Sequence, residues 1–173
     1  MPGPNSERVY LSLGGNIGDP VQAMGEALRM LDADDWTEIV AVSSLYRTPP
    51  WGNTDQPDFL NAAAEIHTGR SPRELLDLCL EAERKLKRVR AERWGPRVVD
   101  LDILVFGDRT IHEPGLEIPH PRMLERAFVL VPLAEIAPNF SVKGQTLSRR
   151  LAVADVTGIE KLPGRDWWRG HDS

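Results

Sequence analysis

Two helix starts punctuate this chain, DPVQ at 19–22 and SPRE at 71–74, and the segments around them decide the fold. In each, a short polar residue precedes a proline and a Gln or Glu follows three positions later: Asp19, Pro20 and Gln22, then Ser71, Pro72 and Glu74. The polar side chain satisfies a free first-turn amide, the proline fits the first helical position, and the residue three on can reach back to the cap. Val21, Met24, Leu28 and Leu31 follow the first start at helical spacing, and Leu75, Leu76, Cys79, Ala82, Glu83 and Leu86 follow the second. Four runs have strand character: RVYLSLGG (8–15), TEIVAVSSLYRT (37–48), DFLNAAAEIHT (58–68) and the stretch ending DLDILVFG (100–107). The order strand, helix, strand, strand, helix, strand predicts an α+β fold, a ferredoxin-like split βαβ sandwich on an antiparallel sheet. RAFVLVPLAEIAP (126–138) and TLSRRLA (146–152) predict C-terminal helices added to that core. One domain is expected over residues 1–162, followed by a Gly- and charge-rich tail, 163–173, that is either disordered or docked through Trp167 and Trp168.

The last strand carries a chemical anomaly. Asp100 and Asp102 lie two apart in a run otherwise made of Val, Leu, Ile and Phe. Alternation puts Asp100, Asp102, Leu104 and Phe106 on one face and Leu101, Ile103 and Val105 on the other, with the carboxylate stems about 6.6 Å apart. A solvated strand face accounts for aspartates taken alone. Leu104 and Phe106 continue that face as apolar residues, however, which sets the pair at the strand's N-terminal end beside a basic segment. Two hard carboxylates completed by water and phosphate oxygens are a usual way to hold Mg²⁺, and a pair on one face can hold two ions.

The basic segment RKLKRVRAERWGPR (84–97) has seven Lys or Arg against the single Glu92, while the whole chain has a net charge of −5. A positive cluster in an acidic protein suits a small anion better than nucleic acid. Lys85 and Lys87 read as the solvated end of a helix. Arg93 and Arg97 flank Gly95 and Pro96 directly before the aspartates, where a planar guanidinium matches phosphate oxygens, and Trp94 offers a stacking face. Metal carboxylates, arginines and an aromatic plate together point to phosphoryl transfer, with the basic segment closing over the nucleotide. In LYRTPPWGNTDQPDFLN, the rigid and apolar Pro49, Pro50, Trp51 and Phe59 alternate with the hydrogen-bonding Thr48 and Asn61. This is either a pocket for a flat polar heterocycle or a loop packing its own aromatics on the sheet. GGNIG (14–18) matches neither phosphate-loop pattern and reads as a tight turn against that pocket. His120, six residues before Arg126, either donates to phosphate or caps its own loop.

Composition excludes several classes. Hydrophobic residues at 41% and charged residues at 27% are those of a globular protein, and no run approaches a membrane span. The one cysteine, Cys79, gives no disulfide framework. A cytoplasmic monomer without membrane or nucleic-acid partners is expected.

The segments LSLGGNIGD, SSLYRTPPWGNTDQPDFLNAA, RVRAERWGPRVVDLDILVFG and IPHPRMLERAFVLVPLAEIAP together resemble the 6-hydroxymethyl-7,8-dihydropterin pyrophosphokinase family of folate biosynthesis. The resemblance implies transfer of the pyrophosphoryl group of ATP to the pterin hydroxymethyl oxygen, releasing AMP. It implies two Mg²⁺ ions on Asp100 and Asp102, with Arg97, Arg88 and Arg90 also in the catalytic set. The implied pterin pocket comprises Thr48, Pro49, Trp51, Phe59, Asn61, Trp94, Asp100 and Phe128. The implied ATP contacts are Glu83, Arg88, Arg90, Arg93, Arg97, Ile103, His120 and Arg126. Phe59 stands where the family commonly has tyrosine, which costs only a hydroxyl. No general base is expected to be essential. The alternative is a non-catalytic ferredoxin-like module that binds nucleotide or RNA, which the acidic net charge opposes.

Overall fold

The computed structural model describes residues 6–49, 57–93 and 99–170, and of 88–93 the backbone alone. Strand β1 (Glu7–Gly15) leads into helix α1 (Pro20–Asp32), β2 (Thr37–Val42), β3 (Tyr46–Thr48), β4 (Phe59–Thr68), α2 (Pro72–Arg93) and β5 (Asp100–Phe106). A hairpin of β6 (Ile111–Glu113) and β7 (Leu116–Ile118) follows, then α3 (Ala127–Ile136), the short pair β8 (Ser141–Val142) and β9 (Gln145–Thr146), and α4 (Leu147–Ala152). The chain ends in β10 (Glu160–Lys161) and a single 3₁₀ turn at Asp166–Trp168. The main sheet runs β10-β3-β4-β1-β5, with β2 also on β4, and every pairing is antiparallel. This is the split βαβ arrangement that the order of elements implied.

Both helix starts are capped as their sequences dictate. The Asp19 carboxylate accepts from the Gln22 amide at 3.2 Å. At α2, Ser71 Oγ accepts from the Glu74 amide at 3.2 Å while Glu74 accepts from the Ser71 amide at 2.9 Å, a reciprocal pair. α1 and α2 bury Met24, Leu28, Leu31, Leu75 and Cys79 against one sheet face, where Val9, Leu11, Leu13, Ile66, Leu101 and Ile103 point. α3 covers part of the opposite face through Val129, Leu130 and Leu133, packed on Tyr10, Ala63, Leu104 and Val105.

The structure departs from simple alternation in three places. TEIVAVSSLYRT is two strands, not one. Ser43 exchanges hydrogen bonds with Ala63 through its amide and also through its hydroxyl, which accepts from the Ala63 amide at 2.9 Å, so the chain steps over one residue before β3 resumes pairing. In β5, Leu11 faces Ile103 but Tyr10 faces Val105, so Leu104 is an extra residue. That bulge turns both Leu104 and Val105 toward α3 and sends Phe106 into the α1/α2 core, so Phe106 does not share the aspartates' face as alternation predicted. Third, the basic segment is not a loop throughout: α2 continues to Arg93. Nothing before Gly95 and Pro96 breaks a helix, and Arg84 pairs with Glu81 one turn back at 2.8 Å.

Of the two alternatives for the tail, the described part is docked. Trp168 is buried against α1, its carbonyl accepts from Arg29 Nη1 at 2.5 Å, and the indole N–H of Trp167 donates to the Ser43 carbonyl at 2.9 Å. Residues 171–173 lie outside the described residues.

Candidate active site

The sheet register builds the site. On the α3 side, Asn61, Gly14 and Asp100 lie in one row across β4, β1 and β5, and Ala63, Ser12 and Asp102 lie in the next. Strand spacing sets the Cα atoms of Asn61 and Asp100 about 10 Å apart. Gly14, with no side chain, leaves the floor between them open. A Cβ there would meet Asn61 Oδ1 at 2.8 Å, so glycine is what lets the Asn61 amide lie over β1. Thr48 pairs with Phe59 to form one wall. The start of α3 supplies the other with Arg126, Phe128 and Val129, and the Arg126 guanidinium sits 5.8 Å from the Phe128 ring centre. Together these residues line a cleft of about 530 Å³, the size of a small-molecule site.

The acidic end is electrostatically strained. Burial raises the pKa of Asp100, and the neighbouring Asp102 carboxylate raises it further. Glu83, on α2, accepts from the Leu101 amide at 2.7 Å, which pins the start of β5 between the two aspartates. Burial lifts its pKa too, the Leu101 bond opposes that, and both aspartates add to it. Like charges this near disfavour one another unless a cation intervenes. No group of three or more His, Cys, Asp or Glu converges on one point among the described residues, so an all-protein metal cage is absent there. Two carboxylates facing an open cleft instead fit Mg²⁺, whose shell is ordinarily completed by water and phosphate.

The opposite end is a slot of Thr48, Phe59, Asn61 and Phe128. The Thr48 hydroxyl is buried and has no hydrogen-bond partner among the described residues, a cost relieved by a ligand that supplies one. His120 is half-buried near Asp102 and Arg126. Its Nδ1 accepts from the Arg122 amide at 3.2 Å, which leaves the proton on Nε2. Burial lowers its pKa, Asp102 opposes this and Arg126 reinforces it, so the ring is a neutral donor near pH 7.

Thr48, Phe59, Asn61, Asp100, Asp102, Arg126 and Phe128 are thus brought into one cleft. Pro49 is the exposed residue following β3. The Ile103 side chain is not in the cleft: it is buried in the α1/α2 core, on the face away from the aspartates. The side chains of Arg88, Arg90 and Arg93 lie outside the described residues, as do Trp51, Trp94 and Arg97 entirely. Ser12 and Val129, to which no role was assigned from the sequence, also line the cleft, as do Gly14 and Gly15, which end strand β1 rather than belonging to the tight turn expected over 14–18. The signal was present for Ser12, since the inward alternation of Val9, Leu11 and Leu13 leaves it on the opposite face.

Residues 10–138 match the model of the family described as 7,8-dihydro-6-hydroxymethylpterin-pyrophosphokinase. A 2-amino-4-hydroxy-6-hydroxymethyldihydropteridine pyrophosphokinase of Methylorubrum extorquens is 49% identical over 155 residues, covering 90% of this chain and 98% of its own length. One from Pseudomonas aeruginosa is 44% identical over 159 residues, covering 91% and 98%. Among solved structures, an HPPK-DHPS of Plasmodium falciparum crystallised with pteroate superimposes with a TM-score of 0.72 at 14% identity, over 91% of this chain. This chain spans only 47% of that longer one, and the likeness shows a shared fold. The match favours the enzyme over a non-catalytic binding module. With the family model matching residues 10–138 and relatives up to 49% identical over nine-tenths of its length, this chain belongs to the 7,8-dihydro-6-hydroxymethylpterin-pyrophosphokinase family.

Proposed function

We propose that this chain carries out its family's transfer of pyrophosphate from ATP to 6-hydroxymethyl-7,8-dihydropterin with Asp100 and Asp102 holding two Mg²⁺ ions on the triphosphate. The pterin lies between Thr48, Phe59, Asn61 and Phe128. The observation that carries this reading is the placement of the acid pair and the hydrogen-bonding slot at opposite ends of one open floor, with Gly14 between them. That span lets an alcohol on a flat ring approach a phosphate chain gathered at the acids.

The pterin oxygen forms a bond to the β-phosphorus as the bond from that phosphorus to the oxygen bridging to the α-phosphate breaks. AMP leaves with that oxygen and the alcohol proton passes to solvent. Bound magnesium supplies charge neutralisation on the phosphate oxygens. The chain's own contribution is positioning. Arg126 and the Nε2–H of His120 face the phosphates, and the pterin wall includes Pro49, Trp51 and Trp94. Arg88, Arg90, Arg93 and Arg97 complete the phosphate contacts as their segment closes over ATP. Glu83 borders the nucleotide and also fixes the strand between the acids, while Ile103, its side chain in the α1/α2 core, can meet the nucleotide only through its backbone.

Gly14→Ala is expected to raise the KM for the pterin about tenfold with little change in that for ATP, because the new methyl displaces the Asn61 amide. Steady-state titration of each substrate checks this. We place the reaction in the cytoplasm, in a monomer acting without nucleic acid or membrane. The Cys79 thiol is buried, its pKa pushed up to about 12 by burial and by Glu83 and Asp102, and no helix among the described residues is long and apolar enough to cross a membrane. The testing experiment is direct. AMP should form from ATP only when both Mg²⁺ and hydroxymethyl-dihydropterin are present, and nucleotide binding without turnover would sink the assignment.

A further inference from the structure

The segment after residue 138 lies beyond the stretch that the family model matches, yet it packs behind the strand that carries Thr48 in the cleft wall. Strand β3 is three residues long and hands the chain directly to Pro49. Its inner edge pairs with β4, and its outer edge is covered by β10, with Glu160 opposite Arg47 and Lys161 opposite Tyr46. The Leu162 amide donates to the Leu45 carbonyl at 2.8 Å, and Trp167 holds the Ser43 carbonyl. Gly158, at φ +85°, packs where a Cβ would lie 3.4 Å from Pro49.

A buried carboxylate joins these pieces. Glu135, on α3, accepts from the Ser44 amide and hydroxyl at 3.1 Å each, from the Tyr46 hydroxyl at 2.6 Å and from Arg165 Nε at 2.5 Å. Of these four donors, Arg165 alone lies outside the stretch that the family model matches. Both ends of the loop that follows Thr48 are therefore tethered, since Asn16 Nδ2 donates to the Pro57 carbonyl at its far end.

We infer that the segment from Gly158 to Arg169 belongs to the pterin site: through Trp167 and the Arg165–Glu135 pair it sets the position of β3 and so of Thr48 and Pro49. The inference rests on the pterin reading of the cleft. Hydrogen bonds weaken steeply with misalignment. Holding a short strand from both edges fixes where its buried Thr48 hydroxyl, without a partner among the described residues, can meet a ligand. Arg165 and Trp167 are positioning residues, acting through Glu135 and Ser43.

The test uses the full-length protein with Trp167→Phe, which keeps the ring and deletes the donor, Arg165→Ala, and Arg165→Lys as the conservative variant. Ser71→Ala, which removes a helix cap far from β3, serves as a control for lost stability. In Trp167→Phe and Arg165→Ala, the pterin KM and the pterin Kd measured beside a nonhydrolysable ATP analogue should rise about fivefold, the worth of one net hydrogen bond. The KM for ATP should stay put, Arg165→Lys should recover part of the loss, and Ser71→Ala should leave both constants unchanged. Unaltered pterin constants, or a parallel rise for ATP, with wild-type turnover intact, would overturn this inference alone. A wild type that does not turn over the pterin would overturn the functional reading and this inference with it.

Discussion

Asp100→Asn and Asp102→Asn should each lower kcat/KM for pyrophosphoryl transfer by about a thousandfold or more, without lowering the melting temperature. Each substitution keeps the side chain's shape and removes the charge that gathers cations at the phosphates. A loss of that size corresponds to about 4 kcal/mol of transition-state stabilisation, in the range found when one preorganised electrostatic group is deleted. Stability should move the other way. Burial and the facing Asp102 already hold the Asp100 pKa above the usual carboxylate range, so its ionised form is disfavoured in the folded protein. Neutralising either member relieves that repulsion. Kinetics paired with thermal denaturation separate the outcomes: equal falls in activity and melting temperature would mark the pair as structural.

Glu135→Gln should produce the largest loss of stability, about 3 kcal/mol, or roughly 9 °C in melting temperature. All four groups around the carboxylate are donors: the Ser44 amide and hydroxyl, the Tyr46 hydroxyl and Arg165. Glutamine offers one acceptor oxygen and turns an NH₂ toward the rest, leaving buried donors unpaired. Burial alone would raise the pKa of Glu135, but the hydrogen bonds from Tyr46, Arg165 and Ser44 outweigh it and the net direction is down. Burial, reinforced by the same carboxylate, drives the Tyr46 phenol pKa well above its ordinary value and keeps it a donor. A carboxylate with a depressed folded pKa stabilises above its unfolded value of 4.5 and loses that contribution as pH falls through the folded value. Wild-type melting temperature should therefore drop as pH falls from 5 toward 3.5, with a shallower drop in the variant. Parallel curves would remove Glu135 from the acid transition.

The local grammar of the chain was legible before any coordinates. Asp19 with Gln22 and Ser71 with Glu74 cap helices because each motif acts within one turn, and the strand–helix order followed from them. Asp100 and Asp102 were also legible as a pair, since alternation over two residues needs no partner strand. What escaped depends on partners distant in sequence. The bulge at Leu104 exists because β5 pairs with β1, so the placement of Phe106 could not come from β5 alone. The break at Ser43 depends on Ala63, and the burial of Trp168 depends on α1. Gly14 shows the same limit: its turn-like company was visible, but its need to clear Asn61 appears only once β1 lies against β4.

The central claim is that the two aspartates act on nucleotide through divalent cations. Calorimetric titration with an α,β-methylene analogue of ATP, in magnesium and again in EDTA, addresses it most directly. Tight uptake in magnesium that is lost in EDTA, and lost equally in the Asp100→Asn/Asp102→Asn double variant, is the expected result. Equal affinity in both buffers, or an unchanged isotherm in the double variant, would contradict it.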